Sequence, residues 1–199
     1  MKNVFLGEYI KQHRLDLGLT QEQLCNGICE PMTLSRLENG KQTPSRNRIN
    51  ALLQRLGLPD DRYFALMSKN ELEMEALQKE IVACNANQHV GEGFDSLKKF
   101  EQIADADDPI AQQFILRSKV LLGRLDQRYT PQEQIDLLMQ AIRLTVPRFD
   151  LDEIERFLYS VDEIKIINQL GIAYSDNGQN KKAADIYYQL LKYVRKHFE

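Results

Sequence analysis

Apolar residues recur at three- and four-residue intervals along most of the chain, and strand-like alternation is essentially absent, so the pattern predicts an all-α protein. Over residues 5–17, Leu6, Ile10 and Leu17 fall on one side of a helix, with Lys11 and Arg14 off it, and Gly18 ends it. Thr20 followed by Gln23 reads as a capping box for a second, short helix with Leu24 and Ile28 on its apolar face. Pro31 suits the first position of a third helix, which runs through Thr33, Leu34, Leu37 and Glu38 until Asn39-Gly40 stops it. Ser45 caps a fourth, whose buried face is Ile49, Leu52, Leu53 and Leu56, with Gly57 as its end. Pro59-Asp60-Asp61 opens a fifth, whose Tyr63, Phe64 and Leu66 close over the others. The reading is a compact five-helix domain over residues 1–68.

From residue 69 the texture changes. A charged helix with a thin apolar line of Leu72, Leu77 and Ile81 leads into an Asn- and Gly-rich loop at 83–93. Helices follow at 94–105, 109–123, 130–146, 151–159, 161–177 and 180–198. Asp108-Pro109, Thr130 with Glu133, Ser160 with Glu163, and Asn180 supply their start signals, and Gly178 ends the penultimate one. Residues 135–142 resemble residues 184–191, an offset of 49 that exceeds the 34 of a tetratricopeptide (TPR) repeat because the 151–159 helix intervenes. The last unit fits best: Gly171 and Ala183 let two helices approach, while Tyr174 and Tyr187 fill the space between hairpins. Residues 69–199 are therefore expected to form a TPR-like antiparallel helical array, a short one of about three units.

Composition changes this picture little. Among 199 residues, 43% hydrophobic and 28% charged are ordinary for a globular protein. No apolar run reaches the length needed to span a bilayer, and Glu8 and Lys11 interrupt any signal-peptide core. Three cysteines without framework spacing suit a reducing cytoplasm. The net charge of −3 conceals an asymmetry, with ten basic and seven acidic residues up to position 69 and an acidic remainder. A mildly basic N-terminal part on an acidic body suits a protein that places only that part on phosphates.

Two short helices joined by a tight turn, as over residues 20–44, form a helix-turn-helix, whose second helix lies in the major groove. Its outward early residues are Pro31, Met32, Thr33 and Arg36. Arg36 can bind guanine O6 and N7 together, Thr33 can donate to a base or meet a thymine methyl, and Pro31 and Met32 offer apolar contact. The alternative for Arg36 is an exposed arginine pairing with Glu38 or a neighbour. Gln21 points its amide at a phosphate, and Ser35, Lys41, Gln42, Thr43, Arg46 and Arg48 extend the backbone contacts. Glu30 is read as a structural N-terminal cap. Cys25, Cys29 and His13 are three ligands without a fourth, so buried thiols are expected rather than metal. No catalytic constellation or cofactor motif is present. In the array, Lys165, Asn168, Ile172 and Ser175 share one helix face. Asn168 can hold the backbone of an extended peptide with its donor and acceptor, or equally bond to an adjacent helix.

Residues 10–58 resemble the Xre (Cro and phage-repressor-like) helix-turn-helix. The resemblance rests on Gly18-Leu19-Thr20-Gln21-Glu22-Gln23-Leu24, then Thr33-Leu34-Ser35-Arg36-Leu37-Glu38-Asn39-Gly40-Lys41, then Pro44-Ser45 and Leu56-Gly57. With its TPR-like body, the whole chain resembles the RNPP/Rgg-type regulators of Gram-positive bacteria. That resemblance implies a dimeric transcription factor on double-stranded DNA whose repeat groove binds a short signalling peptide in quorum sensing. Glu30, Met32 and the acidic body leave open a protein-interaction adaptor that no longer binds DNA.

Overall fold

The computed structural model describes residues 6–58 and 69–198. Four short helices come first: α1 (Leu6–Asp16), α2 (Gln21–Cys25), α3 (Pro31–Glu38) and α4 (Arg46–Arg55). Six longer ones follow: α5 (Lys69–Ala86), α6 (Val90–Ile103), α7 (Pro109–Leu125), α8 (Pro131–Thr145), α9 (Val161–Asp176) and α10 (Asn180–Phe198). No strand occurs among the described residues. The fifth helix expected near residues 60–67 lies outside them.

Local chemistry sets most of the helix starts. Thr20, Thr130 and Ser160 each accept from the backbone N–H three residues on, while Gln23, Glu133 and Glu163 reach back to the cap N–H. Asp108 accepts from the Ile110 N–H ahead of Pro109. Glu30 and Ser45 occupy the expected cap positions, but neither side chain makes a capping hydrogen bond.

In α1–α4, Ile10, Leu24, Ile28, Leu34, Ile49 and Leu52 close one core. The remaining helices pair as antiparallel hairpins, α5 with α6, α7 with α8, and α9 with α10, and α8 also packs along α9. This is the stacked-hairpin geometry of a helical-repeat array, with Leu138, Ile142, Ile166, Leu170 and Tyr193 in its largest core.

Four expectations fail for identifiable reasons. The apolar line of α5 is Met74, Leu77, Ile81 and Cys84, whereas Leu72 is exposed. The 83–93 segment is helical at both ends and turns only at 87–89, with Gln88 in the left-handed region at φ 61°. Gly93 there serves packing, since a Cβ would come within 2.6 Å of the Leu122 side chain. Residues 151–159 form no α-helix but a single 3-10 turn, Ile154–Arg156. Finally, Tyr187 is 37% exposed rather than enclosed, its ring packed within the α9–α10 hairpin 2.6 Å from where a Cβ on Gly171 would stand.

Candidate nucleic-acid interface

The helix-turn-helix is held from behind by a buried ion pair. Arg14 Nε and Nη2 donate to Glu38 Oε1 and Oε2 at 2.6 and 2.9 Å, and Nη1 donates to the Leu19 carbonyl at 2.7 Å. The bidentate fork ties α1 to the end of α3. Its hydrogen bond to Glu38 holds the Arg14 guanidinium above its ordinary value. Arg14, expected off the apolar side, is therefore buried. Glu38 being committed to Arg14, the alternative pairing of Arg36 with it does not form.

Along α3, Leu34 and Leu37 point into the core, while Met32 and Arg36 are exposed and Pro31, Thr33 and Ser35 are half-buried. The four residues expected to read bases thus sit on the first two turns, and Arg36 reaches into solvent. Lys41, Gln42 and Thr43 are exposed in the loop after Gly40.

The phosphate set is less uniform. Gln21 donates its amide to Glu38 Oε2 at 2.7 Å. One amide hydrogen is thereby used inside the protein. Arg46 faces α5, with Nη1 3.5 Å from Glu75 Oε2. Arg48 is half-buried, with its Nε enclosed and unpartnered. Arg55 is turned inside the molecule, with Nη1 and Nη2 bonded and Nε enclosed without a partner. Of the seven basic residues among the described positions up to 58, Arg14, Arg46 and Arg55 engage carboxylates, so Lys11, Arg36, Lys41 and Arg48 carry the positive field.

Cys25 is buried and Cys29 half-buried, and both remain free thiols. Cys25 Sγ faces the Glu22 carbonyl at 3.9 Å; the neighbouring Cys29 and burial push the Cys25 thiol up, and the neighbouring Cys25 holds Cys29 below the ordinary thiol value.

The contact that sequence reasoning missed joins this unit to the array. Arg55 Nη1 donates to the Leu24 and Asn26 carbonyls at 3.1 and 2.7 Å, at the turn between α2 and α3. Its Nη2 donates to the Thr145 carbonyl at 2.9 Å and to Glu163 Oε1 at 2.8 Å, on α8 and α9. Both side chains are only 2% exposed. Gly27 makes the approach possible, because a Cβ there would stand 2.0 Å from the Thr145 oxygen. Gln54 Oε1 adds a bond from the Val161 N–H at 3.1 Å.

On α9, Lys165, Asn168 and Ser175 are exposed and Ile172 half-buried, in one stripe. Lys165 pairs with Asp162 at 2.9 Å, and the Ser175 hydroxyl donates to Asn180 Oδ1 at 3.2 Å. None of the four lines the cavity of about 200 Å³ between α4, α7 and α9.

Comparison with known proteins agrees with this arrangement. Residues 6–63 match the family described as "Helix-turn-helix domain". No curated protein sequence matches the chain significantly. Among solved structures, Bacillus thuringiensis PlcR, in complex with the peptide PapR7 and DNA, superposes with a TM-score of 0.51 at 22% identity. The match covers 97% of this chain and 66% of PlcR, so the chain spans just under two thirds of that protein. The Streptococcus dysgalactiae SHP pheromone receptor Rgg2 matches at 14% identity and a TM-score of 0.31, over 96% of this chain and 78% of that one. Among the described residues no helix is long and apolar enough to cross a membrane. Residues 6–63 therefore carry a helix-turn-helix domain, set within an all-helical fold similar to that of PlcR.

Proposed function

We propose that the chain is a sequence-specific DNA-binding transcriptional regulator acting in the cytoplasm. Residues 1–68 serve as the DNA-binding domain and residues 69–199 as a repeat domain for dimerisation, for binding a short signalling peptide, or for both. The observation that carries this is the exposed early face of α3, with Arg36 free of Glu38 and α2 capped beside it. The PlcR likeness, a structure holding peptide and DNA together, supports the same reading. In a homodimer the two reading helices would sit one helical turn apart, roughly 34–36 Å, on a near-palindromic site. The peptide would lie along the Lys165, Asn168, Ile172 and Ser175 stripe.

Gel shifts against the gene's own upstream region test the proposal, with affinity falling steeply as salt rises. Arg36→Ala should relax preference at one base position by about 1–3 kcal/mol. Gln21→Ala should weaken all sequences alike. Binding no tighter than to random duplex would remove the reading. The exposed Glu30 and Met32 favour one alternative, a protein-interaction adaptor, which a stable protein partner without any DNA footprint would establish.

A further inference from the structure

Between α4, α7 and α9 lies a cavity of about 200 Å³, its walls shared by the helix-turn-helix unit and the array. That is somewhat larger than the ~150 Å³ void that holds a benzene ring, enough for one amino-acid residue. Asn47 of α4 and Gln78 of α5 bring carboxamides, Phe114 and Ile166 bring apolar surface, and Arg117, Asp162 and Glu163 bring charge, Glu163 being already paired with Arg55.

The charges do not balance. Arg117 is only 14% exposed, and the one carboxylate near it among the described residues, Asp162, stands 3.9 Å away. Asp162 is closer to Lys165, at 2.9 Å. Arg117 Nε donates instead to the neutral Gln169 amide at 3.3 Å. Burial pushes this guanidinium below its ordinary value, more than Asp162 raises it. A cation taken from water without a carboxylate at contact distance attracts an anion.

We propose that this cavity binds a small carboxylate bearing an apolar side chain and an adjacent amine or amide, seated with its carboxylate on Arg117. A free amino acid and the C-terminal residue of a peptide share this chemistry. The carboxamides take the amine or amide, and Phe114 and Ile166 take the side chain. The bound molecule touches α4 on one side and α7 and α9 on the other, beside the Arg55–Glu163 pair and the Gln54–Val161 bond. Occupancy therefore tightens the docking of the helix-turn-helix unit on the array. The site is distinct from the α9 stripe and does not depend on α3 reading DNA.

The test is a titration of the ¹⁵N-labelled full chain, followed by amide NMR shifts, with L-leucine, N-acetyl-L-leucine and N-acetyl-L-leucinamide. At least one acid should give saturable shifts centred on Asn47, Gln54 and Val161, and slow exchange of the Val161 amide. The neutral amide should bind about tenfold more weakly or worse. Binding by leucine alone identifies a free amino acid, and binding by the acetylated acid alone identifies a peptide end. Arg117→Gln should lose the acids by a similar factor. Asn47→Asp, which places a carboxylate on the cavity wall, should weaken the acids and spare the amide, and it serves if Arg117→Gln fails to fold. No saturable shift with any probe, shifts elsewhere, equal binding of the neutral amide, or indifference to both variants would overturn the proposal.

Discussion

Glu163→Ala removes the one carboxylate that neutralises Arg55 in an environment where both side chains are 2% exposed. Breaking a buried pair by deleting one partner costs about 3–5 kcal/mol, because the other charge stays buried. Arg55 keeps the Leu24, Asn26 and Thr145 carbonyls, which places this loss near the lower end. Glu163 also accepts the Ser160 N–H through Oε2 at 2.5 Å, and losing that bond adds about 1 kcal/mol. The expected total is about 4 kcal/mol, a large share of the roughly 5–15 kcal/mol that holds a domain folded. Urea unfolding followed by circular dichroism measures it, in a cycle with Arg55→Met and the double variant Arg55→Met with Glu163→Ala. Each single change strands one buried charge, whereas the double change strands none, so its cost should fall short of the sum by about 2 kcal/mol or more. Additivity within about 0.5 kcal/mol would refute the argument. So would single variants costing under about 1 kcal/mol, the behaviour of a solvated surface pair.

Gly27→Ala and Gly40→Ala separate backbone strain from docking. Both glycines have positive φ, 73° and 66°, so each alanine pays about 1–2 kcal/mol for the left-handed conformation. Nothing lies within 4 Å of a Cβ on Gly40, whereas one on Gly27 meets the Thr145 backbone, so Gly27→Ala should cost a further 1–3 kcal/mol or so in thermal unfolding. Alkaline titration tests the array core. Burial pushes the Tyr193 phenol up to about 12 and raises Tyr159 as well. A raised folded value means the stabilisation is complete below the ordinary phenol value of about 10 and fades as pH climbs from there towards 12. Phenolate absorbance from these two residues should appear only together with loss of the helical signal, and their ionisation in the folded chain near pH 10 would contradict the burial.

The sequence by itself determined what is local. Thr20, Thr130 and Ser160 with their partners three residues on fix helix starts, because a capping box is satisfied within one turn. The apolar spacing of Ile49, Leu52, Leu53 and Leu56 fixed a buried face for the same reason. The outward face of α3 followed once Leu34 and Leu37 were assigned to the core. The tertiary structure decided what depends on partners far along the chain. Residues 151–159 carry a helical pattern, yet Gln189 holds the Ile154 N–H and the Leu151 carbonyl, and the Tyr193 hydroxyl accepts the Tyr159 N–H. Those bonds from α10 take up backbone groups that a helix would have used. Gly93, part of an apparent loop, proved to be a close-packing position against Leu122. Charge was the least legible of all. Arg14 and Glu38 lie 24 residues apart and Arg55 and Glu163 lie 108 apart, and nothing in the spacing of charged residues distinguishes a buried partner from a solvated one. Only the packed chain separates the cations that hold the helix-turn-helix in place from those left facing solvent.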